Sequence, residues 1–263
     1  MPFGSLLSYA KGKSVKTADE TSITIGTLGS IGLKILGIPH LGNRARARII
    51  NKYIKKTKNK TALDAGCGIG LYSFEIAKKG YSVTGIDFDN EKIITAKDIS
   101  KKSKINVDFK TGDITKMKYK NSFDLVLCSD VLEHINQDEL ALDNLISALK
   151  KEGNLILTIP RNTPYTLKNS EYIKNYKRFF HERPGYKDKE LIEKLKKKGL
   201  KIIIKRSYSS PIFRFAFSIN EKLYKHQILL GIFFYPLYLL TYFDFLYDSE
   251  NDGLFILAKK ITI

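Results

Sequence analysis

The stretch Leu63-Asp64-Ala65-Gly66-Cys67-Gly68-Ile69-Gly70 decides the fold class of this chain. It ends a short apolar run that predicts a strand and precedes an amphipathic run, residues 71–79, that predicts a helix. Glycines at such a junction let the backbone turn sharply and approach a ligand, which the first N–H groups of the helix then face. The spacing is G-x-G-x-G, whereas dinucleotide-binding loops use G-x-G-x-x-G. Asp64, which precedes the first glycine by two positions, suits a cationic ligand.

Outward from this loop, the chain alternates apolar or β-branched runs with longer amphipathic runs, a pattern typical of a parallel sheet built from βαβ units. The predicted strands are 61–65, 82–87, 106–110, 123–129, 154–159, 201–207 and 253–260. The predicted helices are 43–56, 71–79, 90–102, 137–150 and 187–198. We therefore expect an α/β fold with a seven-stranded, mostly parallel sheet and helices on both faces.

Two further acids accompany the next predicted strands. Asp87 ends the run Val83-Thr84-Gly85-Ile86-Asp87, and Asp113 lies in Thr111-Gly112-Asp113-Ile114. Open α/β sheets bind ligands at the carboxyl ends of their strands, so both acids are expected to lie beside Asp64. A single acid at such a position often only caps a helix. Three of them after successive strands predict a binding site.

These motifs, followed by the runs 123–134 and 149–157, resemble class I S-adenosylmethionine-dependent methyltransferases of the group that acts on quinones and other small molecules. The resemblance covers about residues 45–207 and the last strand. It implies a Rossmann-like sheet and S-adenosyl-L-methionine as cofactor, with Asp87 on the ribose hydroxyls and Asp113 on the adenine amino group. We expect Asp64 to hold the methionine ammonium. The expected cofactor-binding residues are Asp64, Ala65, Gly66, Gly68, Gly70, Asp87, Phe88, Asp113, Ile114, Cys128 and Ser129.

The loop after the fourth predicted strand, Ser129-Asp130-Val131-Leu132-Glu133-His134, is where this family places its acceptor. If the loop turns helically, Asp130, Glu133 and His134 fall on one face. They could then supply a general base or ligate a divalent metal, or they could only hold the loop. Some quinone O-methyltransferases have the motif Glu-x-x-Glu-His here. In this chain Asp130 replaces the first Glu of that motif, which leaves metal binding open.

A second polar cluster, residues 178–186, contains His181 and Arg183 and precedes a predicted helix. Its counterpart in related enzymes borders the acceptor pocket, although a surface loop is an equal alternative. Residues 160–162, just after the fifth predicted strand, are also placed to touch the acceptor. The candidate catalytic residues are therefore His134, Glu133, Asp130 and His181.

Composition indicates the compartment and the possible partners. The 45 Lys and Arg against 27 Asp and Glu give a net charge of +18, which attracts nucleic acid or an anionic membrane, unless the lysines only cover solvated helix faces. The two cysteines fall in apolar runs, as expected in a reducing compartment. The first residues lack the features of a secretory signal. We expect a cytoplasmic chain, with possible peripheral contact to the inner face of the membrane.

Two segments lie outside the α/β pattern. Residues 1–42 include a glycine-punctuated apolar stretch and predict a cover or an interfacial segment before the core, residues 43–210. Residues 211–247 are rich in aromatics, and the run 228–243 is nearly long enough to span a bilayer. However, residues 248–263 contain the last strand of the same sheet, so we expect a hydrophobic helical insertion that serves as a lid or lies on the membrane.

Methyl transfer to a small hydrophobic or lipid-linked acceptor, such as a quinone-like phenol methylated on oxygen, is the favoured function. RNA methylation is an alternative because of the charge, but the Asn/Asp-Pro-Pro-aromatic run of amine-directed nucleic-acid enzymes is absent and Cys128 does not follow a proline. A non-catalytic, membrane-associated module that binds S-adenosylmethionine is the alternative from another class. The oligomeric state stays open.

Overall fold

The computed structural model describes residues 14–16, 22–24, 41–162, 182–183, 185–208, 212, 215–216, 218–219, 233, 236–237, 239–240 and 253–261. The strands are β1 Ser14–Lys16, β2 Ser22–Thr24, β3 Lys60–Ala65, β4 Tyr81–Asp87, β5 Asp108–Thr111, β6 Phe123–Ser129, β7 Leu149–Pro160, β8 Leu200–Ser207 and β9 Gly253–Lys260. The helices are α1 Leu41–Tyr53, α2 Leu71–Lys78, α3 Asn90–Ser103, α4 Asp138–Ala148 and α5 Asp188–Lys197, with a short 3-10 helix at Leu132–His134.

The main sheet has seven strands in the order β5-β4-β3-β6-β7-β9-β8. The first five pair in parallel, whereas β9 runs antiparallel to both β7 and β8. The expected Rossmann-like, mostly parallel sheet is thus confirmed. This order places the ends of β5, β4 and β3 side by side, and the ends of β6 and β7 in the other half of the same edge.

Helices cover both faces of the sheet, as the sequence predicts. One apolar cluster joins the sheet to α1, α2 and α3 through Ile50, Phe74 and Ile93. The other joins it to α4 and α5 through Leu142 and Leu191. Because both faces are covered, the central strand β6 is buried at nearly every position, which explains its continuous apolar sequence.

One predicted boundary is clearly wrong. The helix expected at 137–150 ends at Ala148, and the next strand begins at Leu149, five residues earlier than expected. Leu149 already pairs with Phe123, ahead of an irregularity between Phe123 and Leu125. Glu152 takes a left-handed φ of 61°, so one long strand contains a short polar and irregular stretch. Periodicity assigns the part before this stretch to the helix and only the part after it to the strand. The other bounds differ by three residues or fewer.

The segments outside the core are described only in part. Within 1–42, β1 and β2 form a small antiparallel pair that the sequence did not predict. In 211–247, ten described residues have helical backbone, so the complete insertion and its role remain predictions. Among the described residues, no helix is long and apolar enough to cross a bilayer.

Candidate active site

The glycine loop lies between β3 and α2 and is held by the neighbouring strand. Gly66 N and Cys67 N both donate to the Ile86 carbonyl, at 2.7 and 2.9 Å. Gly68 has a left-handed φ of 52°, and a Cβ built on it would meet nothing within 4 Å. The backbone at Gly68 therefore faces open space, a cradle of the kind in which a ligand can approach the main chain.

Asp64 lies beneath this loop. Its carboxylate is only 1% exposed and accepts a hydrogen bond from Ser73 Oγ of α2 at 2.5 Å. Burial raises the pKa of Asp64 to about 7, since the charged form is poorly solvated there. A cationic group nearby would stabilise the carboxylate, so the expected contact with an ammonium is chemically consistent and remains a prediction.

Asp87 ends β4 and points at the glycine loop. Its Oδ2 accepts from Gly68 N at 2.7 Å, and its Oδ1 accepts from Asp89 N at 3.0 Å. Each oxygen keeps a second lone pair that a hydroxyl could use. The adjacent Phe88 ring is 79% exposed, which is unusual for so large an apolar side chain. Asp87 and Phe88 together suit a nucleoside whose ribose binds to Asp87 and whose flat ring stacks on Phe88.

Asp113 follows β5, whose end lies next to that of β4. Its Oδ1 accepts from Thr115 N at 2.8 Å and from Thr115 Oγ1 at 2.7 Å. These hydrogen bonds hold the pKa of Asp113 below its usual value, so the group is an ionised acceptor. The next residue, Ile114, is buried in the core cluster of α4 and α5. An open groove of about 490 Å³ runs along this loop, lined by Ile86, Gly112, Asp113 and Tyr119 among others.

Three other expected cofactor residues face inward. The side chains of Ala65 and Cys128 are fully buried in the core, so their backbone atoms are the parts that can reach a ligand. Burial raises the pKa of the Cys128 thiol well above its usual value, which makes it an unreactive packing group. Ser129 Oγ shares a hydrogen bond with Thr158 Oγ1 at 2.7 Å. Their cofactor contacts remain predictions.

The acceptor loop does not form the helical face expected for Asp130, Glu133 and His134. Asp130 has a left-handed φ of 51° and precedes the 3-10 helix, which begins at Leu132. Glu133 is 1% exposed, whereas His134 is exposed. The two side chains thus differ in exposure, and Asp130 lies outside the 3-10 helix, so the three residues do not share one helical face. Among the described residues, no group of three or more His, Cys, Asp and Glu could hold a metal ion.

A largely buried arginine that the sequence motifs do not indicate lies beside the acceptor loop. Arg46 of α1 forms an ion pair with Asp130 and donates to Asn43 Oδ1 at 2.6 Å. Tyr208, at the end of β8, donates to Asp130 Oδ1 at 3.3 Å. In the sequence, Arg46 is flanked by Ala45 and Ala47, whose small side chains are buried. These two alanines were the feature of the sequence that could have indicated that this part of the helix packs inward. Its guanidinium could bind a carboxylate at this edge.

The segment after β7 contributes the remaining polar groups. Arg183 donates to Asp138 Oδ2 and to the Ile135 carbonyl at 2.8 and 3.0 Å. Tyr186 packs its ring 5.3 Å from that guanidinium and donates to Asp138 at 2.8 Å. Arg183 was predicted either to contact the acceptor or to lie in a surface loop, whereas Asp138 and Tyr186 were not among the candidate residues. His181 lies outside the described residues.

Comparisons with known proteins show the family of this chain. Residues 56–215 match the methyltransferase domain family. The ubiquinone biosynthesis O-methyltransferase of Coxiella burnetii is 35% identical over 141 residues, 52% of this chain and 60% of that protein. The chain thus spans less than two thirds of the length of that relative.

Solved structures show the same fold. Phosphoethanolamine N-methyltransferase 2 of Haemonchus contortus, in complex with S-adenosyl-L-methionine, is 18% identical with a TM-score of 0.60, over 84% of this chain and 53% of that one. The YcgJ protein of Bacillus subtilis is 15% identical with a TM-score of 0.60, over 82% and 98%. The family match covers well over half of the chain and includes the glycine loop and all three acids. The chain therefore belongs to the methyltransferase domain family and is a class I S-adenosylmethionine-dependent methyltransferase.

Proposed function

We propose that this chain transfers the methyl group of S-adenosylmethionine to an oxygen of a small, quinone-like phenol. The observation that carries the proposal is the contact between the glycine loop and the acceptor loop. A Cβ at Gly66 would lie 2.3 Å from the Val131 side chain, so the two loops touch at the carboxyl edge of the sheet. The name of the relative from Coxiella burnetii supports an oxygen acceptor of the quinone type.

The donor side is assigned to the ends of β3, β4 and β5. Gly68 offers its open cradle, Asp87 the lone pairs for the ribose, and Asp113 an ionised acceptor for the adenine amino group. The cofactor contributes an activated methyl group on a cationic sulfur. These side chains orient it, so that the acceptor oxygen can approach in line with the carbon–sulfur bond.

The proton of the phenol must leave as the O–CH3 bond forms and the S–CH3 bond breaks. Burial, reinforced by the nearby Asp130, raises the pKa of Glu133 well above its usual value, because the charged form is poorly solvated there. We assign the proton to His134, the exposed side chain on the same loop, because histidine is the usual proton acceptor near neutral pH. S-adenosylhomocysteine leaves as the second product.

The acceptor is further proposed to be hydrophobic or lipid-linked. Four described residues of the 211–247 segment, Phe215, Phe233, Leu239 and Leu240, have side chains that are 63%, 48%, 56% and 41% exposed. Exposed large apolar side chains of this kind can contact lipid or an apolar ligand. They support a location for the acceptor at the membrane surface.

The test is a transfer assay with tritiated methyl donor and total cell extract, separated into lipid, RNA, protein and small-molecule fractions. We expect label in the lipid or small-molecule fraction, in an alkali-stable methyl ether. Label in the RNA fraction would contradict the proposal and favour nucleic-acid methylation. Cofactor binding without label in any fraction would favour a non-catalytic module.

Asp87→Ala tests the donor side. The loss of hydrogen bonds to a charged acceptor should weaken S-adenosylmethionine binding about 10- to 100-fold in calorimetry. The matched control is Asp108→Ala, because Asp108 is an exposed acid on β5 that pairs with Lys110. Equal affinity in Asp87→Ala and wild type, with the fold intact, would remove Asp87 from the cofactor site.

A further inference from the structure

Four buried polar side-chain atoms among the described residues have no hydrogen-bond partner. They are Asn51 Oδ1, Glu133 Oε2, Asn162 Oδ1 and Arg183 Nε. Folded proteins contain few such atoms, because an unmade buried hydrogen bond is costly, and each one calls for an explanation. Three of the four belong to residues that meet at one corner of the molecule.

Backbone hydrogen bonds join the three segments of that corner. Glu182 N donates to the Glu133 carbonyl at 2.8 Å, which brings Arg183 beside the acceptor loop. Asn162 N donates to the Tyr186 carbonyl at 3.0 Å, which ties the end of β7 to the same segment. The acceptor loop, the end of β7 and residues 182–186 therefore meet at this corner, and each of the three carries one of the unpartnered atoms.

This corner lies apart from the residues assigned to the methyl donor. Glu133 and Asn162 follow β6 and β7, whereas Asp64, Asp87 and Asp113 follow β3, β4 and β5. In the strand order these are the two neighbouring halves of one edge of the sheet. An acceptor can thus place one of its groups at this corner while its reacting oxygen faces the methyl donor.

The three atoms form a mixed set of donors and acceptors. Arg183 is fixed by Asp138, by two loop carbonyls and by the Tyr186 ring, which leaves its Nε–H to donate. Burial favours the neutral form of Glu133, whose carboxyl can both donate and accept. Asn162 Oδ1 accepts. A neutral hydroxyl, which donates and accepts at once, matches this set better than a carboxylate or phosphate, which cannot donate.

We propose that Glu133, Asn162 and Arg183 form a recognition subsite for a hydroxyl group of the acceptor other than the oxygen that receives the methyl group. The subsite positions the acceptor and takes no part in the removal of its proton. The inference rests on the proposed function, since it assigns the corner to the acceptor of that reaction.

The experiment measures binding and turnover separately. Each positional isomer of benzenediol is paired with the methylphenol in which one hydroxyl is replaced by a methyl group of similar size. Calorimetry on the protein saturated with S-adenosylhomocysteine measures the affinity of each compound. A parallel assay with tritiated methyl donor measures methyl transfer to the same compounds.

Four variants locate the effect. Asn162→Leu and Glu133→Leu remove polar atoms of the subsite, and Glu133→Gln keeps a neutral group that donates and accepts. Asn51→Leu is the matched control, because Asn51 carries the fourth unpartnered atom but lies on α1, where its backbone carbonyl accepts from Lys79. Affinity for S-adenosylhomocysteine reports on the integrity of each variant.

We expect wild type to bind at least one diol about tenfold more tightly than its methylphenol partner, as one buried hydrogen bond predicts. Asn162→Leu and Glu133→Leu should lose this preference with unchanged affinity for S-adenosylhomocysteine, and Glu133→Gln and Asn51→Leu should keep it.

If wild type has no preference, or Asn162→Leu keeps it, the subsite is wrong even if methyl transfer occurs. A preference without transfer to any phenol would support the subsite and contradict O-methylation. Loss of turnover in Glu133→Gln with binding intact would make Glu133 a catalytic group and overturn the positioning role.

Discussion

At the scale of single residues, Asp64 shows how burial shifts the pKa of a carboxyl group into the neutral range. Its carboxyl has one side-chain hydrogen bond, from Ser73, and burial raises its pKa from 3.8 to about 7. Because the folded-state pKa lies above the unfolded one, the carboxyl stabilises the fold fully below about pH 4, and this contribution is lost as the pH rises through about 7. Ionised Asp64 therefore costs free energy that a bound cation can recover.

The resulting prediction concerns cofactor affinity and pH. If the methionine ammonium binds near Asp64, the affinity for S-adenosylmethionine should fall about tenfold from about pH 8 to about pH 6, as the ionised fraction of the carboxyl falls. Calorimetry across this range measures the effect. Asp64→Asn is the control and should bind weakly, with little change across the same range. A wild-type affinity that does not vary with pH would place the ammonium elsewhere.

In the acceptor loop, the residue types could be interpreted from the sequence, but the directions of their side chains could not be predicted. The identities of Asp130, Glu133 and His134 indicated a functional loop, but their spacing suggested one shared face. The 3-10 turn at Leu132–His134 instead buries Glu133 and exposes His134. Periodicity cannot distinguish a short 3-10 turn from the start of an α-helix, since both begin with similar residues.

At the scale of elements, α1 links the N-terminal part of the chain to the acceptor loop. Arg46, on this helix, pairs with Asp130, and its Nε lies 3.4 Å from the hydroxyl of Tyr72 on α2. The ion pair is largely buried, with side chains that are 16% and 22% exposed. An ion pair in such surroundings leaves an uncompensated charge when one partner is removed.

We therefore predict that Arg46→Met lowers the free energy of unfolding by about 2 kcal/mol. Lys52→Met, on the same helix, should change it by about 0.5 kcal/mol or less, as is usual for surface positions. Urea denaturation measures both values. Asp130→Asn in the Arg46→Met background should recover part of the loss, because no unpaired charge then remains. Equal stability of Arg46→Met and wild type would show that the pair is not stabilising.

At the scale of the whole molecule, the net charge of +18 and the exposed apolar side chains of the 211–247 segment point to the same partner. Positive charge attracts a protein to anionic lipid, and apolar side chains then anchor it in the interface. The electrostatic part weakens with salt, whereas the apolar part does not.

Vesicle flotation tests this combination. We predict that the chain floats with anionic vesicles at low salt, less at high salt, and little with neutral vesicles. Replacement of the four exposed apolar residues of the segment by serine should abolish flotation with anionic vesicles; they are Phe215, Phe233, Leu239 and Leu240. Serine at exposed apolar positions elsewhere is the matched control, which should float like wild type; these are Ile94, Leu140 and Ile203. Wild type that stays in the aqueous fraction would contradict membrane association.

The sequence by itself determined the order of strands and helices, the parallel sheet and the position of the glycine loop between β3 and α2. These features are local: alternation, glycine spacing and acids at strand ends depend on neighbouring residues. Only the tertiary structure brought Arg46 to Asp130, and Arg183 and Asn162 to Glu133, from positions that lie far apart in sequence. The same holds for the burial that raises the pKa of Asp64 and Glu133, because desolvation depends on what packs above a residue and not on what precedes it. The proposed donor half of the site thus follows from local motifs, whereas the proposed acceptor half depends on contacts that packing alone decides.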